Sequence, residues 1–363
     1  MPSSKAFLAL TAMSFSAAMP VLAQQETAIG VVAPLSGDYA VLGQQMLDGA
    51  QLAAQDTGEV LIPVDESCED GSGAAVADAL ADAGVAMAIG FFCSETLRGA
   101  LPGLAAAGIP AMTVSVRSLP LMTDALDNDW PFYRMAPNRQ DQIDAIVDLI
   151  MDEWVDEPVA LIDDGTIYYR ELIGAVRNAI EARGLKPVIV DTFRPAQQQQ
   201  LSLVRRLAQA GATHVLVGGT RGDIAIIDRD AREQGEPLTL LGDDGLRAAE
   251  TAVPLENGVL AIALPEYGAL PPAADIAEQA IADGIVPEGY VVPGAAAVQV
   301  ASQALAAANS DDGGLEDALL NNTFSTATGP VTFTGQHELA ENPFLLLRWQ
   351  DDQFVPVFDS GRQ

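Results

Sequence analysis

Two adjoining stretches, Ala28-Ile-Gly-Val-Val-Ala33 and Val41-Leu-Gly-Gln-Gln-Met-Leu-Asp-Gly-Ala-Gln-Leu-Ala-Ala-Gln-Asp56, decide how the rest of the chain is read. The first is a short, unbroken apolar run of strand length. The second places Leu42, Met46, Ala50 and Ala53 on one helical face. A strand without polar alternation is covered on both faces, which is the habit of parallel sheet joined by helices. The pattern then recurs. Strands are expected at Val60–Val64, Val85–Gly90 and Ile109–Thr113, with helices at Gly73–Ala83 and Glu95–Ala107. A second run follows, with helices at Gln140–Trp154, Tyr169–Arg183, Gln198–Ala210 and Ile224–Gln234. Its strands are Val159–Ile162, Val188–Phe193, His214–Val217 and Leu238–Leu241. The same register occurring twice predicts an α/β chain of two doubly wound parallel-sheet lobes. The last hundred residues break the pattern. Helices are expected at Ala273–Gly284, Tyr290–Ala308 and Glu316–Asn322. Short strands follow at Val331–Phe333, Phe344–Trp349 and Phe354–Val357, the last two forming a hairpin across Asp351-Asp352.

Ahead of the first strand, Met1 to Ala23 carries one charge, Lys5, then an apolar run and Val21-Leu-Ala23. That is the pattern of a secretory signal peptide cleaved near Ala23. The apolar run is too short to span a bilayer, and Gln24 rather than Cys follows the cut. No later stretch has enough consecutive apolar residues for a membrane-spanning helix: Gly294 to Ala308 is broken by Gln299, Ser302 and Gln303. A chain of 363 residues exceeds one compact core, which again argues for two lobes. Asp and Glu number 50 against 18 Lys and Arg, a formal net charge of −32. Such a surface repels nucleic acid and anionic lipid, and its scattered acids suit solubility. The two cysteines, Cys68 and Cys93, read in an exported protein as one disulfide, with two free buried thiols as the alternative. The loop so closed is worth roughly 3 to 4 kcal/mol on chain-entropy grounds.

Catalytic patterns are missing from the sequence. There is no G-x-S-x-G, H-E-x-x-H, C-x-x-C or P-loop, and no G-x-G-x-x-G follows the first strand. Of the two histidines, His214 opens an apolar strand and His337 sits in a polar turn. Adjacent carboxylates at Asp163-Asp164 and Asp243-Asp244 point apart on strand ends, poor geometry for acid–base work. No metal or cofactor is expected. Ligands of open parallel sheets sit beyond the carboxyl ends of strands, and four turns there carry polar groups. They are Gly90-Phe-Phe-Cys-Ser-Glu95, Thr113-Val-Ser-Val-Arg-Ser118, Asp163-Asp-Gly-Thr-Ile-Tyr168 and Gly242-Asp-Asp-Gly245. Ser94 is a natural helix N-cap whose following amides could take an anion, or it could act as a cap alone. Hydroxyls, a cation, an aromatic and a carboxylate together suit a small zwitterion or carboxylate.

These turns resemble the type I periplasmic solute-binding proteins of ABC importers, the branch of the leucine/isoleucine/valine-binding proteins. Gly30-Val-Val-Ala-Pro-Leu-Ser-Gly37 with Gly43-Gln-Gln-Met-Leu-Asp-Gly-Ala50 is similar to that family's first strand, loop and helix. The cysteine pair with Ser94 directly after the second, Ala107-Gly-Ile-Pro110, Phe132-Tyr-Arg134 and Gly329-Pro-Val-Thr-Phe333 match as well. The resemblance implies two lobes joined by three hinge crossovers near Ala136, Leu264 and Gly329. Residues 24–136 plus 265–329 would form lobe 1, and 137–264 plus 330–363 lobe 2. It implies a ligand-binding set of Ser94, Ser115, Arg117, Tyr168 and Asp244, with Ser94 at a ligand carboxylate and Asp244 at an α-ammonium. Arg117, Leu42, Thr220 and Arg221 depart from the family's pattern. Arg117 and Arg221 would favour an extra carboxylate or a polar ligand, unless they form ion pairs with Glu95 or Asp244. The function implied is a non-enzymatic, monomeric periplasmic component that closes on an amino acid or related carboxylate and delivers it to ABC permease subunits. A ligand-sensing module feeding a signalling partner and an exported enzyme are the alternatives.

Overall fold

The structure, a computed structural model, describes residues 28–248, 252–310 and 313–357. The signal-peptide reading of Met1 to Ala23 lies outside the described residues. The chain begins with β1 (Ala28–Ala33), α1 (Ala40–Thr57), β2 (Val60–Asp65), α2 (Gly73–Asp82), β3 (Met87–Gly90), α3 (Ser94–Ala107), β4 (Ala111–Thr113), α4 (Leu119–Asp127) and β5 (Phe132–Arg134). The five strands form one parallel sheet in the order β2-β1-β3-β4-β5. After a crossover at 135–138 the alternation resumes. It runs α5 (Arg139–Glu153), β6 (Val159–Asp163), α6 (Ile167–Ala182), β7 (Ile189–Thr192), α7 (Leu201–Gln209), β8 (His214–Gly218), α8 (Arg221–Glu233), β9 (Thr239–Gly242) and β10 (Leu260–Ala263). These strands lie as β7-β6-β8-β9-β10, the same permutation as in the first sheet. The duplicated register in the sequence is therefore a duplicated topology.

The closing third divides between the lobes. Helices α9 (Ala274–Ala282), α10 (Val291–Ser310) and α11 (Gly314–Asn321) and the hairpin β11 (Thr323–Thr326) with β12 (Gly329–Thr332) belong to the first lobe. Strands β13 (Leu345–Gln350) and β14 (Gln353–Pro356) add antiparallel edges to the second sheet beside β10. Their hairpin turns at Asp351 and Asp352, both with positive φ (49° and 63°), as a tight two-residue connection requires. Helix α10 is long and apolar enough to cross a membrane by length and composition, but 56% of it is buried inside the protein. It packs along α1, where the α10 backbone at Val291 leaves Gly49 no room for a Cβ. Its polar breaks have internal work: Gln299 Oε1 accepts from Ala327 N at 2.7 Å, and Gln303 Nε2 donates to Ser325 O at 2.8 Å.

Each sheet is covered on both faces. Val31, Met46, Val298, Phe324 and Phe333 share one core of the first lobe, and Leu80, Leu97 and Phe132 the other. Ile162, Val217 and Trp349 share one core of the second lobe, and Ile146, Val176 and Phe344 the other. Val331, Phe333 and Leu339 all pack in the first lobe. This corrects the third crossover: the chain changes lobes between Leu339 and Phe344, not near Gly329. An ion pair ties the same segment to the first sheet. Arg134, on β5 and fully buried, donates Nε to Glu338 Oε2 at 2.9 Å and Nη2 to Glu338 Oε1 at 2.6 Å. The sequence pattern also omits α4, β5, β10 and β11. Pro120 near the start of α4 reads as a break, although its first turn has no need of that N–H and the Ser118 hydroxyl caps it.

Candidate functional site

The four polar turns meet on one side of the molecule. In the first lobe, the Phe92 ring stands edge-on to Tyr290, centroids 4.5 Å apart. The Tyr290 hydroxyl lies 2.9 Å from Ser115 Oγ. Two residues on, Arg117 Nη1 reaches across to Asp244 Oδ2 of the second lobe at 3.7 Å. Beside Asp244, Asp243 accepts from Tyr169 at 3.2 Å and from Tyr168 at 3.4 Å. The contacts thus run from the β3–α3 turn through the β4–α4 turn to the β9 and β6 turns. Tyr290 is the element that sequence reading missed: it lies 175 residues from Ser115 and precedes an apolar helix like any core aromatic.

The three crossovers enclose a cavity of about 390 Å³ beside this chain of contacts, within the range of small-molecule sites. Ser115, Arg117, Tyr290, Ala136, Glu266 and Asn342 are among its lining residues. Ser94, Tyr168 and Asp244 are not. Ser94 is also not the helix cap: Cys93, extended at φ −107° and ψ 118°, holds that position, and Ser94 is the first helical residue. The turn before it is tighter than its sequence suggests. Gly90 (φ 107°) and Phe91 (φ 55°) both take positive φ, and a Cβ on Gly90 would strike the Val32 carbonyl. The helix starts one residue ahead of the expected Glu95.

The two carboxylates of Gly242-Asp-Asp-Gly245 diverge. Asp243 turns inward to the tyrosines and to its own Gly245 amide at 3.0 Å, and burial raises its pKa. Burial, with help from the Asp243 charge, likewise raises the Tyr168 and Tyr169 phenols. Asp244 turns to the hinge: Oδ1 accepts from Leu264 N at 2.9 Å while Oδ2 faces Arg117. Arg247 donates to Leu264 O at 2.5 Å and pairs with Glu266, so a second guanidinium is tied to the same crossover. Burial pushes the Tyr267 hydroxyl up to about 12. Tyr168 is half exposed, its hydroxyl donating to Gln142 Oε1 at 3.1 Å and its ring lying under Arg139 at 5.2 Å.

Of the two arginines singled out in the sequence, Arg117 has Asp244 as its mate. Arg221 is buried in the second lobe, its Nη1 donating to Leu246 O at 2.8 Å and its Cζ 4.5 Å from the Trp349 ring centroid. His214 packs against Trp154 at 4.8 Å, and burial lowers its pKa. His337 stacks on Tyr133 at 4.5 Å. Cys68 and Cys93 form a disulfide. Among the described residues, no group of three or more His, Cys, Asp or Glu could hold a metal ion. What remains is a set of fixed donors, acceptors and charges on two lobes, suited to gripping a small polar molecule.

A sequence profile of the family described as "Periplasmic binding protein" matches residues 26–353. An "Amino acid binding protein" of Pseudomonas aeruginosa is 28% identical over 364 residues, covering 96% of this chain and 96% of that protein. A "Leu/Ile/Val-binding protein homolog 3" of Brucella melitensis biotype 1 is 26% identical, covering 92% of this chain and 94% of its own. Among solved structures, an ABC transporter substrate-binding protein from Desulfitobacterium hafniense in complex with Leu superposes with a TM-score of 0.66 at 21% identity. It covers 92% of this chain and 100% of that one.

Proposed function

The chain belongs to the periplasmic binding protein family, and on that premise we propose that it is the periplasmic binding component of an ABC importer. Its ligand is an amino acid or a related small carboxylate, held between the lobes and handed to the permease without chemical change. The observation that carries this reading is the set of contacts from Phe92 through Tyr290 to Ser115, and from Arg117 two residues on to Asp244 of the other lobe, beside one cavity. A ligand touching both lobes stabilises the closed arrangement by its differential affinity for it, and closure is what a permease can recognise. The relatives' names, and the leucine in the Desulfitobacterium structure, support an amino acid. Ser94, Ser115, Tyr168 and Asp244 are the groups we assign to ligand contact, Ser94 with the first α3 amides at a carboxylate. Arg117 supplies several N–H donors of which the Asp244 contact uses little. Mass spectrometry of whatever co-purifies, followed by thermal shift with amino acids and dicarboxylates, tests the proposal. A ligand-dependent rise in melting temperature supports it; no response to any small carboxylate, with none co-purified, sinks it.

A further inference from the structure

Glu66 has no part in the site described so far, yet it is a deeply buried carboxyl of the first lobe. It follows β2 directly, and its side chain is 1% exposed. Its Oε1 accepts the Phe92 amide at 2.6 Å, and the Cys93 amide next in sequence is near enough to favour the charged form. Its Oε2 is buried with no hydrogen-bond partner. The disulfide joins the same two segments one step further on, Cys68 to Cys93. Asp65 beside it holds the neighbouring turn, accepting from Leu35 N and Ser36 Oγ, each at 2.7 Å. The two adjacent carboxylates therefore secure the two first-lobe turns that precede α1 and α3.

We infer that Glu66 is a positioning residue: its carboxyl sets the Phe92 amide just ahead of α3, and through the Phe92 ring it sets the Tyr290 wall of the cavity, in a manner that depends on its protonation. A buried carboxylate binds an amide more tightly than the neutral acid does. Losing the charge relaxes that grip, and gaining it places an unpaired anionic oxygen in apolar surroundings. The balance is poised near neutrality, because burial raises the carboxyl to about 7 against the two amides, which lower it. Among the described residues the charged group that acts on it is Asp65, which raises it further; the turn above, Phe91 to Ser94, brings no charge.

One consequence rests on the function proposed above. A ligand carboxylate at the α3 N-terminus would lie near the Glu66 charge, so binding favours the protonated acid. By reciprocity, affinity falls as pH rises through 7, roughly fivefold or more. The same preference for the neutral form makes the native state less stable as pH rises from the ordinary carboxylate range through 7.

The test is an NMR titration of the ligand-free, ¹⁵N-labelled protein, following the Phe92 amide in wild type and in Glu66→Gln, which cannot ionise. The expected result is a Phe92 titration with its midpoint near 7 in wild type and a flat profile in the variant. A flat wild-type profile, or a titration that persists in Glu66→Gln, overturns the inference. Calorimetry with L-leucine at pH 6 and pH 8 then reads the consequence: weaker binding at the higher pH, levelled by Glu66→Gln, is expected. Equal wild-type affinity at both pH values overturns the coupling. Failure of every amino acid to bind at either pH counts against the proposed function, while the Phe92 titration still decides the role of Glu66.

Discussion

Removing Glu338 should cost this protein far more than its place in an exposed turn suggests. Its carboxylate closes two hydrogen bonds to Arg134, at 2.9 and 2.6 Å, and Arg134 is fully buried whereas Glu338 is 18% exposed. In Glu338→Ala the guanidinium would keep one long contact, to Val116 O at 3.5 Å. An uncompensated buried charge destabilises by about 3–5 kcal/mol. The desolvation cost of the arginine is what is exposed, so the double variant Arg134→Met with Glu338→Leu should recover most of the loss. The assay is urea unfolding by circular dichroism and tryptophan fluorescence. Two lobes need not melt together, so the transition containing Trp130, in the first lobe, is the one to read. Because Glu338 also fixes the 334–341 segment to β5, ligand affinity should fall with stability. A cost below about 1 kcal/mol for Glu338→Ala, or a double variant no better than the single, refutes the reasoning, since surface pairs cost that little.

Two other substitutions separate ligand contact from architecture. Ser94→Ala should weaken carboxylate binding by roughly 1 to 3 kcal/mol in calorimetry, the effect of leaving a charge under-paired; unchanged affinity removes Ser94 from the site. Arg117→Ala breaks a cross-lobe pair of which the partners are 44% and 31% exposed, so stability should change by no more than about 1 kcal/mol. An affinity loss well above that, and diminished by salt, would mark Arg117 as a ligand contact; a loss equal to the stability change would mark it as a hinge pair alone.

The strand–helix alternation could be read from residues because continuous apolar runs such as Val159 to Ile162 have no other comfortable home than a two-sided sheet. The order of strands could not, since 2-1-3-4-5 depends on crossover handedness and length rather than on any local pattern. Val331 and Phe333 announce a strand but not which core receives it; that depends on partners distant in sequence, such as Arg134, which holds Glu338 from 204 residues away. The turn residues of the site were legible as polar groups at strand ends. Cys93 rather than Ser94 holds the cap position, and the positive φ of Phe91 in the preceding turn cannot be anticipated from a phenylalanine. Asp243 and Asp244 look alike in sequence, and they divide between the tyrosines and the hinge because Asp243 caps a short 3-10 turn over Asp244–Arg247, of which Asp244 is the first residue. Tyr290 and Glu66 went unnoticed because nothing in their neighbours marks them as facing these turns.

Closure of the lobes on a bound molecule is the central claim, and small-angle X-ray scattering of the protein with and without a saturating, calorimetrically verified amino acid tests it most directly. A smaller radius of gyration in the bound protein is the expected result. Tight binding with an unchanged scattering profile would contradict it.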